Sequence, residues 1–280
     1  NGQTSAPLPG HVAPQRTPQT GMPMRLFALI IVLLTTTTAT AQDSHLQTLS
    51  TLDTSRGWQA VGRLNIGERS FCTATLVAPD KVLTAAHCLF DRETGERVPD
   101  AEMTFLAGWR TGRAEAIRGI RATAIEPGFH FTRGETLDRV ASDLALLQLD
   151  QPIRLPSVRP FAIGSAAPVQ GAPVAVVSYA RDRAEAPSLQ DRCAVLDQRH
   201  DGVMVLSCAI DFGASGAPVF ALEGEQTRIV SVLSAMASSS GQTVALGMRL
   251  EGRLAALEAR LLDAPRGARE SARFMRPDPS

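Results

Sequence analysis

Twelve short apolar runs, most of them closed by a glycine, proline or aspartate turn signal, restrict what this chain can fold into. Six of them occupy residues 59–64, 72–77, 81–84, 103–107, 118–125 and 144–149, with period-2 or continuous apolar patterns rich in β-branched residues. Gly67, Pro79-Asp80, Gly95, Gly112, Pro127-Gly128 and Pro152 bound them at the regular spacing of an all-β barrel. Residues 152–168 read as a proline-punctuated connector, and a second set follows at 173–179, 192–196, 203–208, 217–221, 228–233 and 243–249. From Leu250 the period changes. Leu250, Leu254, Leu257 and Leu261 are spaced four, three and four apart with Glu, Arg and Ala between them, which predicts an amphipathic helix over 250–263 packed on the second set of strands. Gly252 weakens its start, and the Arg-, Ser- and Pro-rich residues 264–280 read as a disordered tail.

The start of the chain has a different logic. Met24-Arg25, nine apolar residues at 26–34, a threonine run and Ala39-Thr40-Ala41 form the charged, apolar and small-residue zones of a secretory signal over 24–41. Nine apolar residues are too few to span a bilayer, so no stable membrane insertion is expected once the chain is cut after Ala41. Residues 1–23 read as an upstream segment with no role in the fold. Lys plus Arg equal Asp plus Glu at 28 each, so the formal net charge of zero gives no electrostatic case for nucleic acid or an anionic membrane surface.

Export makes disulfides the natural state of the four cysteines, for which three pairings exist. Cys72 lies one strand before Cys88 and Cys193 one hairpin before Cys208, so local pairing is expected. The first bridge would then tie the loop bearing His87, and the second would brace the approach to Ser215. No Cys-x-x-Cys or paired-histidine spacing is present, and no nucleotide, flavin or haem signature, so neither metal nor cofactor is expected.

Three segments carry chemistry: Thr84-Ala85-Ala86-His87-Cys88, Ser142-Asp143-Leu144-Ala145-Leu146 and Gly213-Ala214-Ser215-Gly216-Ala217-Pro218. A serine hydroxyl attacks only when a base takes its proton, an imidazole is suited to take and return it, and a carboxylate fixes the imidazole tautomer. Asp143 opens an apolar strand, where a carboxylate is costly unless hydrogen-bonded. Asp138 in a charged run and Asp150 before Gln151-Pro152 are the nearest rivals and read as a solvated residue and a turn former. His45, His130 and His200 lack a small-residue, cysteine-braced setting. Trp58, Trp109 and Tyr179 read as packing aromatics.

In the order His, Asp, Ser, these segments resemble the chymotrypsin-like (trypsin-like) serine peptidases over roughly residues 58–250. Cys208, a few residues before Ser215, and Ser-Gly-Ala-Pro in place of Ser-Gly-Gly-Pro are most similar to the bacterial branch related to glutamyl endopeptidases. The resemblance implies an all-β fold of two six-stranded antiparallel barrels, the first over about 58–155 and the second over about 165–250. With the C-terminal helix at about 250–263, they form a peptidase domain over 42–263. It implies catalytic His87, Asp143 and Ser215, and an oxyanion hole from the N–H groups of Gly213 and Ser215. Substrate-binding positions map to Ala209, Ser231, Val232 and Leu233.

Two departures bear on specificity and activation. Ala214 stands where trypsin-type enzymes carry the aspartate that pairs with a freed N-terminal amine, so the oxyanion loop must be held in another way. Ala209 stands where a trypsin needs an acid, and Val230 where a glutamyl endopeptidase has its histidine, so an uncharged pocket for a small or medium apolar side chain is expected. The expectation is a secreted or periplasmic monomeric serine endopeptidase acting on polypeptides through an acyl-enzyme. The alternative is a catalytically silent peptide-binding protein of the same fold, since Ala214 and Ala217 depart from the pattern. A stress-type protease would carry an extra peptide-binding domain, and an esterase elbow would have its triad in another chain order.

Overall fold

The computed structural model describes residues 46–263 apart from 69, 135, 223–226 and 240. The upstream segment, the signal, His45 and the tail lie outside these residues. After β1 (Leu46–Thr48), the chain forms β2 (Val61–Ile66), β3 (Ser70–Ala78), β4 (Lys81–Thr84), β5 (Met103–Ala107), β6 (Ala116–Ile125) and β7 (Ala145–Leu149), with a short α1 (Leu137–Ala141) before β7. β2 to β7 close an antiparallel barrel in the order β2-β3-β4-β7-β6-β5. The second barrel comprises β8 (Pro173–Ala180), β9 (Arg183–Gln198), β10 (Val203–Leu206), β11 (Pro218–Ala221), β12 (Arg228–Ser239) and β13 (Gln242–Arg249), followed by α2 (Leu254–Asp263). Its order is β9-β10-β13-β12-β11-β8, closed by β8 on β9, and β1 adds to β9 from outside.

The two-residue period of a strand explains how both barrels and their interface are filled. On β8, Val174 and Val176 pack inside the second barrel with Val195, Met204 and Val219. The residues between them, Ala175, Val177 and Tyr179, join a core that includes Leu64, Leu76 and Phe105 of the first barrel. A strand buried on both faces reads in sequence as continuously apolar, as β8 does. Polar anchors lock the same seam. The buried Tyr179 hydroxyl donates to the Trp109 carbonyl (2.7 Å), and Trp109 Nε1 donates to the Ala184 carbonyl (3.2 Å). Trp58 packs against Phe161 and Phe220, with ring centroids 5.8 and 5.1 Å away. The cysteines pair as Cys72–Cys88 and Cys193–Cys208.

Three features depart from the sequence reading. β9 spans sixteen residues where 192–196 were expected, because Arg183–Asp191 is polar and contains Pro187 yet is held in a hairpin by β8. α1 is too short for any helical period to register; Thr136 caps it by accepting from the Arg139 N–H. α2 begins at Leu254, after Gly252 with φ 74°, and packs on β6 and β7 of the first barrel, not on the second. Lys81–Glu258 (3.0 Å) and Arg253–Glu126 (3.1 Å) pin it there. The leucine spacing defines a face to be buried without naming its partner.

Leu257 is fully buried in that contact, whereas Leu262 on the same helix is 84% exposed. Leu257→Ala should cost about 2–5 kcal/mol in urea denaturation, and Leu262→Ala within about 0.5 kcal/mol of nothing. Equal effects would remove α2 from the first-barrel core. The bridges close loops of 16 and 15 residues in sequence separation. Their reduction should lower the unfolding midpoint, each contributing about 3 kcal/mol on the chain-entropy estimate.

Candidate active site

The first barrel supplies two of the three chemical segments. β4 ends at Thr84, and the buried Ala85 and Ala86 lead into a single tight turn, Ala86–Leu89, that carries His87. α1 ends at Ala141, and Asp143 follows it, its N–H donating to the Val140 carbonyl (3.3 Å) as the chain turns into β7. Asp143 is fully buried. Its Oδ1 accepts from the His87 backbone N–H (2.7 Å), and its Oδ2 lies 2.6 Å from His87 Nδ1. The Ser234 hydroxyl of β12 donates to the same Oδ2.

Burial by itself pushes the Asp143 carboxyl up. The charge of His87 and the hydrogen bonds from its ring, from Ser234 and from the His87 backbone outweigh that cost and hold the group below its ordinary 3.8. Asp138 and Asp150 are exposed, as are His130 and His200.

The second barrel supplies the Ser215 turn, between β10 and β11. Gly213 and Gly216 have φ of 99° and 79°, in the left-handed region that favours glycine. Space demands glycine there too. A Cβ on Gly213 would come 2.6 Å from the Phe71 ring, and one on Gly216 would run into Thr84 Oγ1 and the Thr73 carbonyl. The Ser215 turn thus sits directly against the end of β4 that leads to His87.

Around this turn the N–H groups of Phe212, Ala214, Gly216 and Ala217 donate to Asp211 Oδ1 and to the carbonyls of Asp211, Leu233 and Ala214. Among the described residues, the N–H groups of Gly213 and Ser215 have no acceptor. A pair of unpaired donors flanking a half-exposed serine is what binding a developing oxyanion requires. Ser215 Oγ likewise has no hydrogen-bond partner among the described residues. Among the described residues it therefore makes no hydrogen bond to His87; a hydroxyl–imidazole bond of that kind is often long without substrate and tightens when substrate is bound. A cleft of about 690 Å³ opens beside His87 and Gly213, walled by Phe71, Cys88, Phe90 and Phe212. The donor atoms of Cys72, His87 and Cys88 lie within 4.8 Å of one another, and both sulfurs are spent in the disulfide.

The anticipated substrate positions are placed unevenly. Ala209 is exposed. Ser231, Val232 and Leu233 are buried inside the barrel wall, between β11 and β13. The Leu233 N–H donates to the Ala217 carbonyl, and its own carbonyl accepts from Gly216. Beyond Ser234, β12 pairs among the described residues only with β13, so there its other edge has no strand partner from Ala235 onward. Ser234 is the functional residue that the sequence reading missed. β12 holds two buried serines three residues apart; Ser234 meets Asp143, whereas Ser231 Oγ has no partner among the described residues. Nothing in the local sequence separates the two.

Comparison with known proteins agrees with the fold. The profile of the trypsin-like peptidase domain matches residues 72–227, more than half of the chain. A Drosophila melanogaster protein described as a modular serine protease is 38% identical over 101 residues, which cover 33% of this chain and only 15% of that protein. Among solved structures, a Glu endopeptidase in complex with MPD aligns with TM-score 0.63 at 17% identity, covering 76% of this chain and 95% of its own. The thermostable serine protease AL20 from an extremophilic microorganism aligns with TM-score 0.58 at 16% identity, covering 73% and 97%. The protease Anisep from Arthrobacter nicotinovorans does so with TM-score 0.58 at 15% identity, covering 78% and 100%. At such identities the structures speak to the fold, while the profile speaks to descent: the chain belongs to the trypsin-like peptidase family.

Proposed function

We propose that this protein is an exported serine endopeptidase that hydrolyses peptide bonds through an acyl-enzyme. Ser215 is the nucleophile, His87 the base that takes its proton and returns it to the leaving amine, and Asp143 the carboxylate that orients the imidazole. The observation that carries this reading is the buried Asp143, holding donors from His87 and Ser234, together with a turn in which the N–H groups of Gly213 and Ser215 have no acceptor among the described residues. Attack by Ser215 on a carbonyl builds negative charge on its oxygen, which in this reading those two donors receive. Asp143 stays ionised and stabilises the imidazolium while the proton rests on His87.

Substrate binds in this reading as an added strand on the open edge of β12 that begins at Ala235, since the edge at 231–233 is already paired. Ala209, exposed, and Met236, half-buried, are uncharged, which supports preference for a small or medium apolar side chain over Lys, Arg or Glu. Two disulfides support an oxidising destination. Among the described residues no helix is long and apolar enough to cross a membrane.

Ser215→Ala should lower kcat by about 10⁴-fold or more without loss of fold, and an organophosphonate should label the parent at Ser215. Labelling elsewhere, or full activity in the variant, would move the nucleophile. Asp143→Asn should cost about 10⁴-fold near neutral pH through the wrong imidazole tautomer, with Asp138→Asn and Asp150→Asn close to parent. Ser234→Ala removes one of three donors to Asp143 and should reduce kcat by about tenfold, the size of one charge-assisted hydrogen bond.

The lowered Asp143 pKa also sets a sign. A carboxylate depressed in the folded state adds stability above its unfolded value, near 3.8, and loses it as pH falls through the still lower folded value. The stability difference between parent and Asp143→Asn should therefore shrink as the pH is taken from about 5 towards 2. A difference that grows with acid would contradict the depressed pKa.

A further inference from the structure

We propose that Thr73 is the positioning residue of the nucleophile turn, holding the Gly213 and Ser215 N–H groups in place without a freed N-terminal amine. This rests on the serine-endopeptidase reading above and adds to it how the turn is held.

Thr73 follows Cys72 on β3 and is fully buried. Every one of its polar groups is engaged with the site or its supports. Its Oγ1 donates to the Gly213 carbonyl (2.9 Å) and accepts from the Tyr179 N–H (3.0 Å). Its own N–H donates to the Ser215 carbonyl (2.9 Å), and its carbonyl accepts from Thr84 Oγ1 (2.8 Å), three residues before His87. One residue therefore grips the turn on both sides of the nucleophile and reaches the strand that delivers the base. The Tyr179 N–H is free to take part because the β8–β9 register shifts between Ser178 and Ala180. Such irregularities recur beside active sites, where they re-aim a group.

In a trans peptide the N–H points opposite to the C=O of the preceding residue, so the Phe212 and Ala214 carbonyls orient the Gly213 and Ser215 donors directly, and the Gly213 carbonyl that Thr73 holds orients the peptide linking them. Here four successive carbonyls are anchored. That of Phe212 accepts from the Arg181 N–H (2.7 Å), that of Gly213 from Thr73 Oγ1, that of Ala214 from the Ala217 N–H (3.0 Å), and that of Ser215 from the Thr73 N–H. Three of these anchors are backbone groups. The Thr73 hydroxyl is the one made by a side chain, so it is the anchor that a substitution can remove. It stands in a chain whose Ala214 offers no carboxylate to hold the turn by an ion pair.

The test compares Thr73→Val, which keeps the shape but can neither donate nor accept, with Thr73→Ser, which keeps the hydroxyl. Each is assayed for kcat and KM on a peptide amide that the parent cleaves. Each is also tested for inhibition by a peptide aldehyde, whose tetrahedral adduct places an oxyanion between the two donors, and by the product peptide, which does not. Thr73→Val should lower kcat and aldehyde affinity together by about 10- to 100-fold, somewhat less than outright loss of a donor, with KM and product affinity little changed. Thr73→Ser should recover most of that loss.

Parent-like kcat and aldehyde affinity in Thr73→Val would overturn the proposal. So would a uniform loss that includes product affinity and is not recovered by serine, which marks a merely structural role. Should Thr73→Val fail to fold, Thr73→Ser decides: a folded serine variant with strongly reduced kcat would mean that the methyl, not the hydroxyl, matters. Failure of the underlying reading is separate, because a parent that neither cleaves peptides nor takes an organophosphonate at Ser215 is not this enzyme at all.

Discussion

The buried charge of Asp143 is the constraint around which the molecule is organised. A carboxylate with no exposed surface at the head of an apolar strand would be untenable alone, because desolvation of an unpaired ion costs several kcal/mol or more. Three donors offset that cost. Two come from His87, through its backbone and its ring, and the third from Ser234. His87 and Asp143 belong to the first barrel and Ser234 to the second, so satisfying one charge fixes how β12 stands against the turn that carries His87. Both His87 and Asp143 are buried, and the low local dielectric strengthens each of those bonds.

The Ser215 turn is governed by closeness instead of charge. Gly213 lies against Phe71, and Gly216 against Thr84 and the Thr73 carbonyl, so no side chain fits at either position. Small residues there are a consequence of two barrels approaching to backbone distance, and the same approach brings the turn within reach of the strand leading to His87. The Cys72–Cys88 bridge ties the two ends of that region covalently, one cysteine beside Thr73 and the other beside His87. Rigid support on every side suits a site whose donors must be aimed before charge develops.

Much of this was legible in the sequence because it rests on local signals. The twelve runs mark the barrel strands, two of them, β4 and β5, to the residue, since period-2 apolar patterns ended by Gly and Pro are set by the strand itself. Cysteines one strand or one hairpin apart were paired correctly because neighbouring strands are neighbours in space. What stayed hidden depends on distant partners. Ser234 and Ser231 look alike until Asp143 is placed, and α2 shows an apolar face that suits either barrel until β6 and β7 receive it. The polar stretch of β9 carries no strand signal because its ladder to β8 is imposed by tertiary structure.

The placement of Ser234 has a consequence for specificity. A strand has only two edges, and along 231–233 both are taken by β11 and β13, so a peptide cannot pair there whatever the side chains are. The β11 pairing stops where the Ser215 turn begins, and from Ala235 the edge of β12 is open. The same residue that completes the coordination of Asp143 therefore marks where the β11 pairing ends and the edge proposed to bind substrate starts. A shift of β12 by even one residue would turn Ser234 to the other face and leave the buried carboxylate a donor short, so under the proposed function one serine bears on both imidazole orientation and substrate register.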